Sequence, residues 1–167
     1  PVKLINKQGS FVYNGEIYNN LELLKKYSID EELSDTLTLK KLFEYKNNIS
    51  FINELIGDFA IAFWDDQNKK LFLIRDHIGK KPLYYCSSRE FFLFNSSIKG
   101  IQRAIKSKFI DNEALANYLV YGNMFDEKSI FKEIKQVLPG QIIIWDSNTG
   151  GISSEKFFNL KDQILQS

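Results

Sequence analysis

Apolar residues recur along the chain with two different periods, and the switches between them mark the elements. Leu4-Ile5, the polar stretch Asn6-Lys7-Gln8-Gly9-Ser10 and Phe11-Val12-Tyr13 read as a β-hairpin around a glycine-bearing loop. Asn14-Gly15-Glu16 follows at once and is expected to interrupt that strand. From Asn20 to Tyr27 the pattern turns helical, with Leu21 and Leu24 on one face. Ser34-Asp35-Thr36 reads as a helix start, because short oxygen-bearing side chains accept the unpaired N–H groups of a first turn. Leu39, Leu42 and Phe43 then carry that helix to about Lys46. Ser50 opens another short helix with Phe51, Ile52, Leu55 and Ile56 as its apolar positions, and Gly57 is expected to stop it.

The period then becomes that of strands. Phe59-Ala60-Ile61-Ala62-Phe63-Trp64 is apolar on both faces, Asp65 to Lys70 is a polar turn, and Leu71-Phe72-Leu73-Ile74 returns. Leu83-Tyr84-Tyr85-Cys86, the turn Ser87 to Glu90 and Phe91-Phe92-Leu93-Phe94 form a second hairpin. Strands this apolar are expected to be covered on both sides. Ser97 to Lys106 and Asp111 to Tyr121 read as helices, the second capped by Asp111 and ended by Gly122. Leu138-Pro139-Gly140 turns the chain into a strand from Gln141 to Trp145. A loop from Asp146 to Gly151 follows, and Ile152 to Asn159 is expected to pair back. The implied class is α+β, with packed antiparallel sheets and helices outside them.

Composition narrows the function more than the fold. At 44% hydrophobic and 26% charged, the 167 residues are ordinary globular usage, which excludes a disordered or collagen-like chain. Lys and Arg number 22 against 21 Asp and Glu, a net charge of +1 without a basic stripe, so no nucleic-acid partner is expected. Cys86 is the single cysteine, so no disulfide closes within the chain, which fits a reducing, cytoplasmic compartment. No apolar run approaches the roughly 20 residues that span a bilayer, so no membrane is expected. One histidine and one cysteine supply too few ligands for a zinc site, and no metal is expected. The aromatic share of 14% favours a sheet-rich core.

Asn14-Gly15-Glu16 is the foremost candidate for chemistry. A carboxamide beside a glycine N–H offers two donors that can converge on one oxygen, the arrangement of an oxyanion hole, and Glu16 can hold a cation. Asn-Gly is also a common turn dipeptide. Asp35 is either a helix cap or a carboxylate for an ammonium. In Arg75-Asp76-His77 the histidine could be a general base, but no nucleophile motif accompanies it. Cys86 sits in an aromatic strand and reads as packing. Gly79-Lys80-Lys81 and Gly150-Gly151 lack the spacing of a phosphate loop.

In chain order, Asn14-Gly15-Glu16-Ile17-Tyr18-Asn19, Ser34-Asp35-Thr36, Leu55-Ile56-Gly57-Asp58-Phe59-Ala60, Phe63-Trp64-Asp65 and Arg75-Asp76-His77-Ile78-Gly79-Lys80-Lys81-Pro82-Leu83-Tyr84-Tyr85 resemble the glutaminase domain of the asparagine synthetase family. Weaker matches follow at Ser96 to Lys99 and Phe131 to Gly140. That family belongs to the class II glutamine amidotransferases, so the resemblance implies the four-layer αββα sandwich of N-terminal-nucleophile hydrolases. It implies that an N-terminal cysteine thiolate attacks the glutamine side-chain amide, with its own α-amine as base. The ammonia released then serves ATP-dependent amidation of aspartate in a second domain. By the resemblance, Asn14 and Gly15 form the oxyanion hole, and Glu16 and Asp35 hold the α-ammonium of glutamine. The implied partners are glutamine and a C-terminal synthetase domain, with homodimerisation left open. No cofactor is implied for this segment, since ATP and Mg belong to the synthetase domain.

The sequence also departs from the family. It opens on Pro1 rather than cysteine, already in what reads as the edge of a strand, and only thirteen residues precede Asn14. The nucleophile and the arginine for the substrate carboxylate are therefore expected upstream of this segment, and the fold is expected to be incomplete at its N-terminus. Residues 1–146 read as a partial glutaminase domain. Residues 147–167 read as a loop and strand leading toward the absent synthetase domain. Leu37 and Ser97 replace the usual glutamates, Lys80 a usual apolar residue and His77 a usual arginine. Two other readings compete. One is a structural, non-catalytic domain, as in β-lactam synthetases and lasso-peptide cyclases. The other is an enzyme using Pro1 itself as base, as tautomerases do.

Overall fold

The computed structural model describes residues 1–4, 9–29, 33–45, 49–88 and 91–159. The loop expected over Asn6 to Gln8, the helix end at Lys46, the turn at Glu90 and the tail from Leu160 lie outside the described residues. The chain divides into two compact units, one of residues 1–81 with 139–167 and one of residues 82–138.

In the first unit six strands form one antiparallel sheet. They are β1 (Val2–Lys3), β2 (Gly9–Ile17), β3 (Gly57–Asp65), β4 (Lys70–Arg75), β8 (Gln141–Asp146) and β9 (Ile152–Lys156), in the spatial order β1-β2-β3-β4-β8-β9. Cross-strand register sorts their side chains by face. One face carries the rows Phe11–Phe63–Phe72–Ile144 and Tyr13–Ile61–Ile74–Ile142. Helices α1 (Asn20–Lys26) and α2 (Asp35–Tyr45) and a 3₁₀ turn, Ser50–Glu54, supply Leu23, Leu39, Leu42, Phe43, Phe51 and Ile52 to that same core. Phe43 is its hub, with ring centroids 4.5 Å from Phe63, 4.9 Å from Phe51 and 5.1 Å from Phe11. The other face carries the rows Val12–Ala62–Leu73–Ile143, Asn14–Ala60–Arg75 and Glu16–Asp58. β3 is buried on both faces, as its double apolarity implies.

The second unit has a three-stranded antiparallel sheet, β6 (Phe92–Asn95), β5 (Tyr84–Ser87) and β7 (Lys135–Gln136) in that order, with helices α3 (Ile98–Ile105) and α4 (Asn112–Tyr121). Asp111 Oδ1 accepts the N–H groups of Glu113 and Ala114 at 3.0 Å each, and Gly122 ends α4 in the left-handed conformation, as their positions in the sequence imply.

Four expectations change. Asn14-Gly15-Glu16 does not interrupt β2, which continues to Ile17. In α1 the buried residues are Leu23 and Leu24, while Leu21 is exposed. The segment at Ser50 closes as a 3₁₀ turn, and Gly57 is the first residue of β3 rather than a stop signal. The apolar hairpin of the second unit is not covered throughout: β6 is an edge strand, and Phe91 and Phe94 stand exposed.

Candidate active site

The candidate residues gather at the end of β2. Gly15 explains why an Asn-Gly pair runs straight here. Its φ is +154°, and a Cβ at this position would stand 2.0 Å from the Asp58 carbonyl oxygen. Only glycine lets β2 pass flush against β3 at this point. Asn14 and Glu16 therefore project from one face, both exposed, and the small Ala60 beside Asn14 leaves room above the strand.

The backbone of β2 adds a second donor. The Tyr18 N–H donates to the Ile56 carbonyl at 2.7 Å. Counting back through an alternating ladder, Glu16 and Asn14 turn their N–H groups to β3, whereas Ile17, Gly15 and Tyr13 turn theirs to the opposite edge. Among the described residues, β1 registers along that edge with Ser10 and Phe11. The Gly15 N–H thus faces the strand edge, next to the Asn14 carboxamide on the face.

Asp35, the first residue of α2, reaches this edge. Its Oδ2 accepts the Tyr13 hydroxyl at 2.7 Å and the Ile17 N–H at 3.3 Å, so its carboxylate spans the two residues that flank Gly15. Its Oδ1 accepts the Thr36 N–H at 2.7 Å. Asp35 is thus a first-turn acceptor for its own helix and a neighbour of Gly15 at once. Burial, then the bond to Asp35, pushes the Tyr13 hydroxyl far above its ordinary pKa, so it stays a proton donor to that carboxylate.

A further group of charges was not legible in the sequence. Asp58, the register partner of Glu16, accepts from Lys80 Nζ at 2.7 Å. The Lys80 ammonium and the Tyr18 hydroxyl hold the Asp58 carboxyl below the usual carboxylate range, and the bond to Asp58 raises both Tyr18 and Lys80. Strand parity places Tyr18 beyond Glu16 on the Asn14 side of β2, which is the one signal that could have found it.

The Arg75–Lys81 motif is a built turn. The Asp76 carboxylate, wholly buried, accepts backbone N–H groups from Phe59 (3.3 Å), Ile78 (3.2 Å), Lys80 (2.9 Å) and Lys81 (2.9 Å). The Arg75 guanidinium donates to the carbonyls of Gly79 (2.6 Å) and Lys81 (2.8 Å). These backbone bonds close the end of β4. His77 packs edge-on against Phe158, Phe157 and Phe59 at centroid distances of 4.6, 5.3 and 6.1 Å, and burial depresses its pKa against the opposing pull of Asp76. Cys86 is buried with Ile101 and Ile134 in the second unit, and burial raises its thiol pKa. A buried, protonated thiol is a poor nucleophile. Among the described residues no three His, Cys, Asp or Glu side chains are placed to hold a metal, and no helix is long and apolar enough to cross a membrane.

A family model described as a glutamine amidotransferase domain matches residues 1–158. Two glutamine-hydrolyzing asparagine synthetases of Bacillus subtilis, numbered 2 and 3, are 32% and 30% identical to the chain over 174 and 162 residues. Those alignments cover 97% and 92% of this chain but 23% and 26% of the relatives, so the chain spans about a quarter of their length. Among solved structures, the glutamine phosphoribosylpyrophosphate amidotransferase of B. subtilis superposes with a TM-score of 0.58 at 17% identity, over 94% of this chain and 30% of that one. That likeness shows the fold, the α+β architecture of N-terminal-nucleophile hydrolases.

Proposed function

This chain belongs to the glutamine amidotransferase domain family, of class II, and on that premise we propose that it is the glutamine-hydrolysing part of an asparagine-synthetase-like enzyme. The observation that carries this reading is the run of β2 from Tyr13 to Ile17. It sets a carboxamide, Asn14, beside a strand-edge N–H, Gly15, with the acids Glu16 and Asp35 on either side of them.

In this reading glutamine lies along β2. Glu16 and Asp35 hold its α-ammonium, and its side-chain amide reaches Asn14. A cysteine thiolate supplied from outside this segment attacks the amide carbon. The carbonyl oxygen becomes an oxyanion and accepts from Asn14 Nδ2 and the Gly15 N–H. The α-amine that took the thiol proton gives it to the leaving nitrogen, collapse expels ammonia and leaves an acyl-enzyme thioester, and water then hydrolyses the thioester. Donors held in position before reaction would need little reorganisation as charge develops. Cys86 does not serve as the nucleophile, because it is internal and buried. A second domain then uses the ammonia, with aspartate as acceptor and ATP and Mg as its own cofactors.

The test is amide synthesis by the intact protein with either glutamine or ammonium as nitrogen source. Losing one oxyanion donor lowers kcat by about 10²–10³. Asn14→Ala should therefore abolish glutamine-dependent synthesis while ammonia-dependent synthesis continues. Unchanged glutaminase turnover removes Asn14 from the site. Glutamine binding without any hydrolysis by the unsubstituted protein points instead to a structural, non-catalytic domain.

A further inference from the structure

Glutamine hydrolysis at the end of β2 uses nothing of helix α4, and the fold hardly uses it either. Of its residues from Asn112 to Tyr121 only Ala114 is buried. The exposure concentrates in the last turn, where four apolar or aromatic side chains follow one another. Tyr118 is 50% exposed, Leu119 75%, Val120 72% and Tyr121 66%. Successive helical residues point about 100° apart, so these four point to all sides of the helix, and solvent meets the turn all round. Gly122 ends the helix. Phe125, 45% exposed, then packs edge-on against Tyr121 at a centroid distance of 5.2 Å and extends the apolar surface past the helix end. A helix end that is apolar on every side is ordinarily enclosed. At roughly 150–250 Å² for a large aromatic side chain, the exposed parts of these five residues come to roughly 500 Å², a size at which an exposed apolar patch marks an interaction surface.

We propose that the last turn of α4, with Phe125, is a knob that docks into an apolar socket on the remainder of the intact protein, the part that uses the ammonia. The inference rests on the glutaminase reading, which assigns amide synthesis to a second domain. Shape selects this occupant over a second copy of the chain. A twofold dimer sets one surface patch against itself, so the patch must complement its own shape. A turn exposed on all sides is convex and cannot be its own socket. It needs a concave surface of different sequence. In the Bacillus subtilis relatives about three quarters of the protein lies outside the matched part, and a tethered domain of that size is present at high effective concentration. With an equal contribution from the socket the contact would bury roughly 1,000 Å², within the roughly 600–1,500 Å² of interfaces between domains of one chain and short of the roughly 2,000 Å² or more of obligate homodimers. Tyr118 and Tyr121 are the kind of side chain that anchors such a contact. No residue from Ala114 to Phe125 is charged, so enclosing the knob leaves no unpaired ion.

Hydroxyl-radical footprinting of the intact protein reads the knob directly and needs no activity. Tyr118 and Tyr121 should be oxidised several-fold more slowly than Tyr45, which is similarly exposed in this chain, at every protein concentration. In the double variant Leu119→Asp, Val120→Asp, whose substituted side chains face solvent here, both tyrosines should rise to the rate of Tyr45. Ammonia-dependent synthesis and glutaminase turnover should be retained in that variant, while several-fold more glutamine is consumed per amide formed. Equal oxidation of the three tyrosines in the unsubstituted protein overturns the proposal. So does protection that disappears on dilution to the monomer, which assigns the knob to a second copy. Unchanged coupling in a variant whose knob has become exposed overturns it too, because the socket then lies elsewhere than on the synthesising part. Concentration-independent protection in a protein without glutaminase activity defeats the glutaminase reading and leaves the docking in place.

Discussion

At the scale of single residues the site depends on which side of one strand each group occupies. Asn14 and Glu16 share a face, whereas Asp35 approaches along the edge through Tyr13 and Ile17. These positions give the two kinds of residue different kinetic signatures. In the proposed mechanism Asn14 would meet charge that exists only in the transition state. Asp35 would pair with an ammonium that keeps its charge throughout the reaction. An interaction equal in the ground and transition states changes KM and leaves kcat nearly alone. Asp35→Asn should therefore raise the glutamine KM several-fold with little loss of kcat, measured as steady-state glutaminase turnover in the intact protein. A large fall in kcat at unchanged KM would remove Asp35 from ammonium binding.

At the scale of elements the segment from Arg75 to Lys81 bears most on the site, because it joins the end of β4 to the Lys80 side chain. Asp76 organises it together with Arg75: one buried carboxylate accepts four backbone N–H groups, and the guanidinium donates to two backbone carbonyls. Asp76→Ala would leave those N–H donors without their acceptor. At about 1 kcal/mol for each bond, the loss should be about 4 kcal/mol. Urea unfolding monitored by tryptophan fluorescence would register it as a large drop in midpoint. Asp76→Asn should recover part of the loss, because its oxygen still accepts while its NH₂ meets N–H groups that cannot bond it. Helix α4 shows the opposite case, an element whose limits are set locally by Asp111 and Gly122.

At the scale of the whole molecule His77 makes stability depend on pH in a window that no other side-chain type occupies at its ordinary pKa. It is the single histidine of the chain, and burial among Phe59, Phe157 and Phe158 depresses its pKa. The unfolded chain, near the ordinary value of about 6.5, takes up the proton first as pH falls. The stability from a neutral His77 is therefore full above that value and declines below it, down to the folded pKa. Thermal unfolding between about pH 7.5 and 5 should show this decline, and His77→Phe, which keeps an aromatic ring there, should flatten it. An equal slope in the variant would assign the pH dependence to other groups. Much of the architecture was legible without coordinates. Double apolarity marked β3 and β4, short oxygen-bearing residues and glycine marked the ends of α4, and Asn14-Gly15-Glu16 stood out by chemistry and by its likeness to a family. These signals lie within a few residues of one another, where the periods of helix and strand act directly. Tertiary structure alone decided that Asn-Gly runs as strand, because the close pass of β3 at Asp58, not the local turn preference, determines how Gly15 is used. It alone brought Asp58 opposite Glu16, Lys80 onto Asp58, and Asp35 across Gly15. Each of these contacts joins residues many positions apart through strand register or helix packing, and local periodicity carries no information about which distant residue will stand opposite.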